Sequence, residues 1–168
     1  MKSLPRCDIA ELYQTFAKFT PSQLMGLAPD MTSRYREAAA DFIRENPERT
    51  DSMGFQGLNS GVVLYNLTRM RESSLYNEEL DLDMMDELVD SFLFRDQCYV
   101  GDQDWLTLMS WKHPQLFHPL PCDYNFMEHD LESVPKKDDP QWRSYYTCEG
   151  KPKILHKIWS LDSSTNTL

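Results

Sequence analysis

The chain alternates between stretches in which apolar residues recur every three or four positions and shorter, uninterrupted apolar runs. The first pattern is typical of an amphipathic helix, and the second is typical of a buried strand. Candidate N-caps and prolines set the boundaries, because an N-cap begins a helix and the residue before a proline disfavours one. The predicted helices cover residues 9–19, 34–43, 68–76, 83–94 and 102–111, and the predicted strands cover residues 24–28, 61–67, 115–120 and 153–155.

Strands that alternate with helices indicate an α/β architecture, with a sheet at the centre and helices on its faces. The run from Gly61 to Leu67 is apolar and contains β-branched residues, which predicts a central strand. Prolines at positions 114, 119 and 121 keep the run 115–120 short or at an edge. A length of 168 residues fits one domain, and we expect this chain to supply only some strands of its sheet.

Composition and charge exclude several classes of protein. The chain carries 27 acidic and 17 basic side chains, for a net charge of −10, and 40% of its residues are hydrophobic. That apolar fraction is typical of a folded domain, whereas the acidic balance excludes an electrostatic nucleic-acid binder, which needs a basic face. No apolar run approaches the roughly 20 residues that span a bilayer, and no signal peptide follows Met1. We therefore expect neither a membrane span nor a targeting signal in these residues.

The net charge is concentrated between Glu72 and Asp104, where eleven acidic side chains accompany a single basic one. Asp81 and Asp83 suggest a calcium loop, but the turn glycine and the glutamate at the twelfth position of an EF-hand are missing. Apolar residues recur at helical spacing beneath these charges, at Leu82, Met85, Leu88, Val89 and Phe92. We therefore interpret the segment as a helix with a solvated acidic face.

The four cysteines, Cys7, Cys98, Cys122 and Cys148, form no C-x-x-C pair. The minimal signature of a zinc finger or of a thioredoxin-like redox site is therefore absent. Buried thiols are one interpretation, because free cysteine is among the most buried residue types. A bridge between Cys122 and Cys148 in an oxidising compartment is the other, and the sequence leaves both open.

Three short segments combine glycine with side chains that can contact a ligand. Residues 57–62 form a glycine-flanked Asn-Ser turn, residues 101–105 place a glycine before a helix N-cap, and residues 148–156 end at a lone histidine. Glycine lets a backbone approach a ligand closely, and a helix N-terminus favours anions. Each segment also has an ordinary interpretation, as a turn, a cap or a structural histidine. Residue chemistry alone therefore predicts an α/β fragment with three candidate site loops.

The order and spacing of these segments carry a family resemblance. The matching stretches are GFQGLNSGVVLYNLTRMR, YVGDQDWLTLM, HPQLFHPLPCDYN and YTCEGKPKILH. In this order they resemble the glycogenin-like (family eight) retaining glycosyltransferases, and they are most similar to the xyloside xylosyltransferases within it. The resemblance extends from about residue 8 to His156, and an ordered series of matches is far more specific than any one of them.

The resemblance implies a Rossmann-like sugar-nucleotide fold, with residues 1–159 as the C-terminal part of one glycosyltransferase domain and residues 160–168 as a disordered polar tail. In the family, the N-terminal half holds the uracil site and a D-x-D pair that binds Mn²⁺ and the diphosphate. No such pair precedes the first predicted helix, so we expect the first strands and the D-x-D to be absent. Asp81 and Asp83 lie after the Asn-Ser turn, and we reject them as the metal site.

The resemblance also implies which residues face the donor sugar. The donor-binding residues are expected to be Asn59, Ser60, Gly61, Val100 and Gly101. The first three border the sugar, and the last two belong to the loop beneath the transferring xylose.

Catalysis, acceptor binding and metal binding are assigned in the same way. Asp102 is expected to hold donor hydroxyls, and the amide of Gln103 is expected to face the reacting carbon. Asn125 matches an asparagine on the acceptor side, and His156 matches the third protein ligand of Mn²⁺. Family members usually follow that histidine with glycine, whereas here Lys157 follows.

The implied activity is retaining transfer of xylose from UDP-xylose to an O-linked xylosyl-glucose on epidermal growth factor-like repeats. Alternatives are a glucoside xylosyltransferase, a glycogenin-like glucosyltransferase and a non-catalytic binding module. Because one metal ligand of three remains, we expect this chain alone to be inactive and to bind a divalent cation weakly.

The resemblance implies that the full-length form lies in the lumen of the endoplasmic reticulum or Golgi. Contact with the membrane is expected only through an anchor absent from this chain. Asn66-Leu67-Thr68 fits a glycosylation sequon, but it follows a strand predicted to be buried. We therefore expect this asparagine to stay unmodified.

Overall fold

Two three-stranded sheets organise the computed structural model, which describes residues 2–5, 7–49, 55–95, 101–127 and 140–157. The strands are β1 Lys2–Pro5, β2 Met25–Pro29, β3 Leu58–Tyr65, β4 Phe117–Pro119, β5 Phe126–Met127 and β6 Ile154–Lys157. The helices are α1 Ile9–Tyr13, α2 Arg34–Ala38, α3 Ala40–Glu45, α4 Leu67–Glu72, α5 Ser74–Glu78, α6 Leu82–Ser91, α7 Asp102–Lys112 and α8 Pro140–Tyr145. Turns of 3₁₀ helix lie at Gln14–Lys18, Pro114–Leu116 and Cys122–Asn125.

Strand β2 is the centre of the first sheet, with β3 antiparallel on one side and β4 parallel on the other. The strand predicted at 115–120 is confirmed as a short edge strand, because prolines limit it to three residues. The prediction that residues 61–67 form a central strand is wrong. Among the described strands β3 pairs with β2 alone, and Val62, Val63 and Leu64 remain half-buried. An apolar run indicates that side chains are covered, but it does not report how many strands are paired.

Strand β3 departs from its partner at a three-residue bulge. Leu27 of β2 pairs with Val63. The next residue of β2, Ala28, pairs with Asn59, so residues 60–62 bulge out of the ladder. Bulges re-aim the side chains of a strand and are common beside functional sites. The bulge therefore carries the Asn-Ser-Gly turn away from the sheet.

Strand β6 is the centre of the second sheet, antiparallel to β1 and parallel to β5. It confirms the strand predicted at 153–155, shifted by one or two residues. The sequence pattern does not predict β1, because Lys-Ser-Leu-Pro contains no apolar run. Pairing with β6 defines this strand instead, and Ser3 lies opposite His156.

The predicted helices are present, although two are divided and the first is shortened. Ala39 separates α2 from α3, Ser73 separates α4 from α5, and α1 continues as a 3₁₀ turn. In α6, Leu88 is fully buried as expected, but Leu82 is 78% exposed because it lies in the first turn, beyond the end of the core. Within the described ranges, no helix is long and apolar enough to cross a bilayer.

An aromatic cluster fixes helix α7 against the rest of the fold. Trp111 lies near the C-terminal end of α7. Its ring centroid is 5.2–6.4 Å from the centroids of four other aromatic rings, those of Tyr35, Phe55, Phe92 and Phe94. Such pairs are favourable beyond the area they bury. Packing at this end of α7 therefore fixes the orientation of the helix and of its N-terminal turn.

A disulfide joins Cys122 to Cys148, with a Cα–Cα distance of 5.8 Å. It resolves the two interpretations of these cysteines in favour of a bridge. Cys7 is a half-buried free thiol, and Cys98 lies outside the described residues. The bridge ties the 3₁₀ turn Cys122–Asn125 to the segment that leads into β6.

Candidate functional site

The N-terminal turn of α7 supplies the first part of the candidate site. Gly101 precedes the helix with φ of 66°, a left-handed conformation that glycine adopts without strain. Asp102 is exposed, whereas Gln103 and Asp104 are 4% and 2% exposed. The turn thus presents one solvated carboxylate and two buried polar side chains. Val100, the remaining residue predicted in this loop, lies outside the described residues.

The side-chain amide of Gln103 is held from both sides. The backbone N–H of Ser60, in the β3 bulge, donates to Oε1 of Gln103 at 3.0 Å. Its Nε2 donates to Oδ2 of Asp30 at 3.3 Å. A backbone donor and a carboxylate acceptor can be satisfied together by only one orientation of the amide. Gln103 therefore links the bulge of β3 to the end of β2.

Asp30 is a buried carboxyl group that sequence reasoning missed. It follows β2 directly and is 3% exposed, and burial raises its pKa to about 6, although the charge of Arg34 acts in the opposite direction. Its Oδ1 has no hydrogen-bond partner within the described residues. Open α/β sheets bind ligands at the carboxyl ends of their strands. The position of Asp30 directly after the buried strand β2 is therefore a signal that could have identified it from the sequence.

Asp104 has a different role from its neighbour. Its Oδ1 accepts hydrogen bonds from the hydroxyl of Tyr35 at 2.8 Å and from Nη2 of Arg34 at 3.0 Å. Both partners lie on α2, so Asp104 binds the first turn of α7 to that helix. A buried charge that is paired and hydrogen-bonded is a fixed element of the fold. Asp104 therefore fixes the turn of α7 that also carries Gln103.

Two asparagines meet where the β3 bulge approaches the second sheet. Oδ1 of Asn59 accepts from Nδ2 of Asn125 at 2.7 Å and from the backbone N–H of Gly61 at 2.8 Å. Nδ2 of Asn59 donates to Sδ of Met127 at 3.3 Å. Asn125 is completely buried, and its Oδ1 has no partner among the described residues. These contacts set the conformation of the bulge.

His156, on β6, packs directly against the bulge. A Cβ atom added to Gly61 would lie 2.4 Å from Cε1 and 2.5 Å from Nδ1 of the imidazole, which is closer than real contacts allow. The ring is 2% exposed, and burial lowers its pKa. Neither ring nitrogen has a hydrogen-bond partner in the described part of the chain. A buried imidazole with two unsatisfied nitrogens has the chemistry of a metal ligand.

An ion-paired network fixes the start of β6. The backbone N–H of Lys153 donates to the carbonyl of Asp123 at 2.8 Å, and its Nζ lies 2.7 Å from Oε1 of Glu11. The same Nζ lies 3.1 Å from the hydroxyl of Tyr124. Together with the disulfide, these contacts align the turn that carries Asn125 with the strand that carries His156.

The structure brings together residues that the sequence places far apart. We refer to the following five side chains as the buried polar cluster: Asp30, Asn59, Gln103, Asn125 and His156. Ser60 and Gly61 join it through their backbone, whereas Asp102 and Gly101 lie at its solvated edge. The described residues contain no group of three or more His, Cys, Asp or Glu side chains that would hold a metal. Of the ligands expected for a divalent cation, His156 is the one that lies among the described residues, and its role as a ligand stays a prediction.

Comparisons with known proteins add a second line of observation. No protein-family model matches the chain. The chain is 35% identical over 161 residues to xyloside xylosyltransferase 1 from Mus musculus, and equally to the protein of the same name from Homo sapiens. The match covers 90% of this chain and 39% of the mouse protein. The chain therefore spans about two fifths of the length of these relatives.

Solved structures agree with the fold. The crystal structure of mouse xyloside xylosyltransferase 1 in its apo form superposes with a TM-score of 0.80 at 34% identity, covering 92% of this chain and 55% of that one. The galactosyltransferase LgtC, crystallised with donor and acceptor sugar analogues, gives a TM-score of 0.55 at 18% identity, covering 95% and 52%. These likenesses confirm the Rossmann-like glycosyltransferase fold predicted from the sequence.

Proposed function

We propose that the chain forms the C-terminal part of a retaining xylosyltransferase. The proposal starts from the family of the chain, because the chain belongs to the glycosyltransferase family of the xyloside xylosyltransferases. The identity of 35% over 161 residues carries this proposal, because it covers 90% of the chain. The buried polar cluster supports it independently. Buried side chains that lack hydrogen-bond partners are costly to a fold, and they are retained where a ligand satisfies them.

The donor in this proposal is UDP-xylose. The backbone of Asn59, Ser60 and Gly61 borders the sugar, and Gly101 leaves room for it beneath the loop. Asp102, which is exposed and within reach of a ligand, holds sugar hydroxyls. Gln103 presents its clamped amide to the anomeric centre, where it stabilises the positive charge that develops as the diphosphate departs.

His156 supplies one ligand to the divalent cation that the family uses. When bound, Mn²⁺ acts as a Lewis acid toward the departing diphosphate. The unpartnered nitrogens of His156 support this assignment, and the other ligands come from outside the described residues. Gly61 has no side chain, and this leaves the space that the imidazole occupies.

The acceptor in this proposal is an O-linked xylosyl-glucose on an epidermal growth factor-like repeat. Asn125 contributes to the acceptor side through Asn59, since its own side chain is completely buried. The disulfide Cys122–Cys148 supports an oxidising compartment, and we assign the protein to the lumen of the secretory pathway.

The test uses a chimera, here named the completed enzyme, in which this chain replaces the matching region of mouse xyloside xylosyltransferase 1. We expect it to transfer xylose from UDP-xylose to a xylosyl-glucose acceptor with retention and with dependence on Mn²⁺. We expect the chain by itself to transfer none.

Two outcomes separate this function from its alternatives. Transfer to a glucosyl acceptor, or transfer of glucose, would assign the chain to the glucoside xylosyltransferases or the glycogenin-like glucosyltransferases. A folded chimera that binds UDP-xylose without transferring it would contradict the proposal and favour a binding module. Folding of the chimera is checked by its thermal transition against that of the mouse protein.

A further inference from the structure

The segment that joins β3 to α4 contains a sequon that the proposed site does not use. Asn66-Leu67-Thr68 is the single N-x-[ST] triplet in the 168 residues. Asn66 is the N-cap of α4, and it follows the last residue of β3. The sequence pattern predicts a buried strand end here, and this premise is wrong. Tyr65 is 42% exposed and Leu67 is 55% exposed, because β3 leaves the core before it reaches Asn66.

The side-chain amide nitrogen of Asn66 is accessible. The backbone N–H of Asn66 donates to the carbonyl of Leu24 at 2.9 Å, and its Oδ1 accepts from the backbone N–H of Arg69 at 3.1 Å. No partner within the described residues engages Nδ2, and this atom is not among the buried polar atoms that lack one. Nδ2 therefore reaches solvent, while the oxygen of the same amide caps the helix.

A sugar attached to Nδ2 is compatible with this geometry. The glycosylated amide keeps its carbonyl oxygen, so the cap on α4 remains and continues to stabilise the helix. Thr68 is exposed, so the hydroxyl that completes the sequon also lies at the surface. The exposed Tyr65 and Leu67 flank the attachment point and offer apolar surface that a glycan can cover.

The length of β2 separates the attachment point from Asp30 of the buried polar cluster. Leu24, which binds the backbone of Asn66, precedes β2, and Asp30 follows it. Six steps of extended chain span about 20 Å, at about 3.3 Å per residue. The modified amide and Asp30 therefore lie at opposite ends of β2.

We propose that Asn66 is an N-glycosylation acceptor that carries a glycan in the folded protein. Nδ2 forms a bond to the anomeric carbon of a lipid-linked oligosaccharide, the bond from that carbon to the lipid diphosphate breaks, and Nδ2 loses one proton. The inference rests on the proposed function only for the lumenal compartment, which the disulfide also supports.

The test expresses the 168-residue chain behind a cleavable secretion signal in cultured animal cells, and the secreted product is measured by intact mass. We expect most of the product to carry a glycan that peptide N-glycosidase F removes, leaving aspartate at position 66 in the peptide map. Thr68→Ser keeps the sequon and should stay modified. Thr68→Ala removes the sequon, retains the Asn66 cap, and should abolish the added mass.

Folding is monitored on the same material by the disulfide Cys122–Cys148 and by resistance to limited proteolysis. Secreted, disulfide-bonded chain with unmodified Asn66 would overturn the proposal, as would a glycan confined to protease-sensitive product. This result does not depend on sugar transfer. If Asn66 carried a glycan and the completed enzyme were inactive, the proposed function alone would be contradicted.

Discussion

The buried polar cluster and the acidic face of α6 are both rich in polar groups, but they differ in what surrounds those groups. On α6, Asp83, Asp86 and Glu87 are exposed to water. Arg95 pairs with Asp90 through two nitrogens, at 2.7 and 2.8 Å, and both side chains are more than half exposed. In the cluster, by contrast, Asn125 and His156 are no more than 2% exposed and still have unsatisfied atoms.

The difference shows how polar groups that serve the fold differ from groups that serve a ligand. A charge in water costs little, so a helix face can carry many of them without any partner. A buried polar atom without a partner destabilises the fold by on the order of 1–3 kcal/mol, so it is retained only where another interaction, such as ligand binding, compensates for it. Four of the seven buried atoms that lack a partner within the described residues belong to the cluster, on Asp30, Asn125 and His156, and the other three are scattered over Glu79, Trp105 and Asp123. The concentration of unsatisfied buried atoms, and not the density of carboxylates, therefore marks the candidate site.

The largest effect is expected from Gly61→Ala. The added methyl would overlap the imidazole of His156, and overpacking of this kind costs about 1–3 kcal/mol. Because the bulge and the histidine would both shift, we expect transfer by the completed enzyme to fall below detection. Activity and the free energy of unfolding are measured on the same preparation.

Gly150→Ala is the matched control for this substitution. Gly150 has φ of 104°, so alanine is strained there, but its Cβ would meet no atom within 4 Å. We expect a loss of stability with transfer retained. Equal losses of activity in both variants would contradict the importance of the contact between Gly61 and His156.

Gln103→Ala is expected to lower turnover on the order of a hundredfold, the usual loss when one well-placed polar contact to a developing charge is removed. The side chain is neutral and engaged by Ser60 and Asp30, so the affinity for UDP should change little. Steady-state kinetics and UDP titration of the completed enzyme separate the two quantities. Unchanged turnover with lost UDP binding would instead assign Gln103 to nucleotide recognition.

His156→Ala is expected to weaken Mn²⁺ binding by at least roughly tenfold, since even outer partners of metal ligands contribute this much. Titration of Mn²⁺ into the completed enzyme measures the affinity directly, without reference to turnover. Added metal should restore part of the activity of this variant but none of the activity of Gln103→Ala. Unaltered Mn²⁺ affinity would remove His156 from the metal site.

Asp30→Asn tests the buried carboxyl group through pH. The pKa of Asp30 is about 6 in the folded chain against an ordinary value of 3.8, so between these values the folded state binds more protons than the unfolded state. Stability from this group is therefore present below pH 4 and is lost as the pH rises through 6. The lost stability is on the order of 1–3 kcal/mol. Urea unfolding at pH 5 and pH 7.5 should show this difference in the parent chain and a smaller one in Asp30→Asn.

The sequence predicted the elements well where local pattern decides them, as in α7 and α6. It did not predict β1, which has no apolar run and depends on β6, about 150 residues away. Family resemblance pointed to Gln103 and His156, but Asp30 lies outside the stretches that carry the resemblance and was missed. Its place just after the strand predicted at 24–28 is the one signal that could have identified it. The position of β3 at an edge among the described strands was also missed, since neighbouring strands leave no trace in its own residues.

The smallest effect is expected on the acidic face, from Asp83→Asn. Asp83 forms a D-x-D with Asp81, and the structure explains this spacing without a metal, since Oδ1 of Asp81 caps α6 by accepting from the backbone N–H of Asp83 at 2.9 Å. The side chain of Asp83 is exposed, so its removal costs a favourable interaction with the helix dipole of about 0.3–1 kcal/mol at most.

Asp81→Ala removes the cap itself and should cost about 1 kcal/mol, so it calibrates the measurement. Neither substitution should alter the Mn²⁺ affinity of the completed enzyme, because these carboxylates serve the helix and are solvated without a ligand. If Asp83→Asn weakened Mn²⁺ binding as much as His156→Ala does, the acidic face would belong to the metal site. The distinction between solvated carboxylates and the buried polar cluster would then fail, and density of charge would have been the better guide.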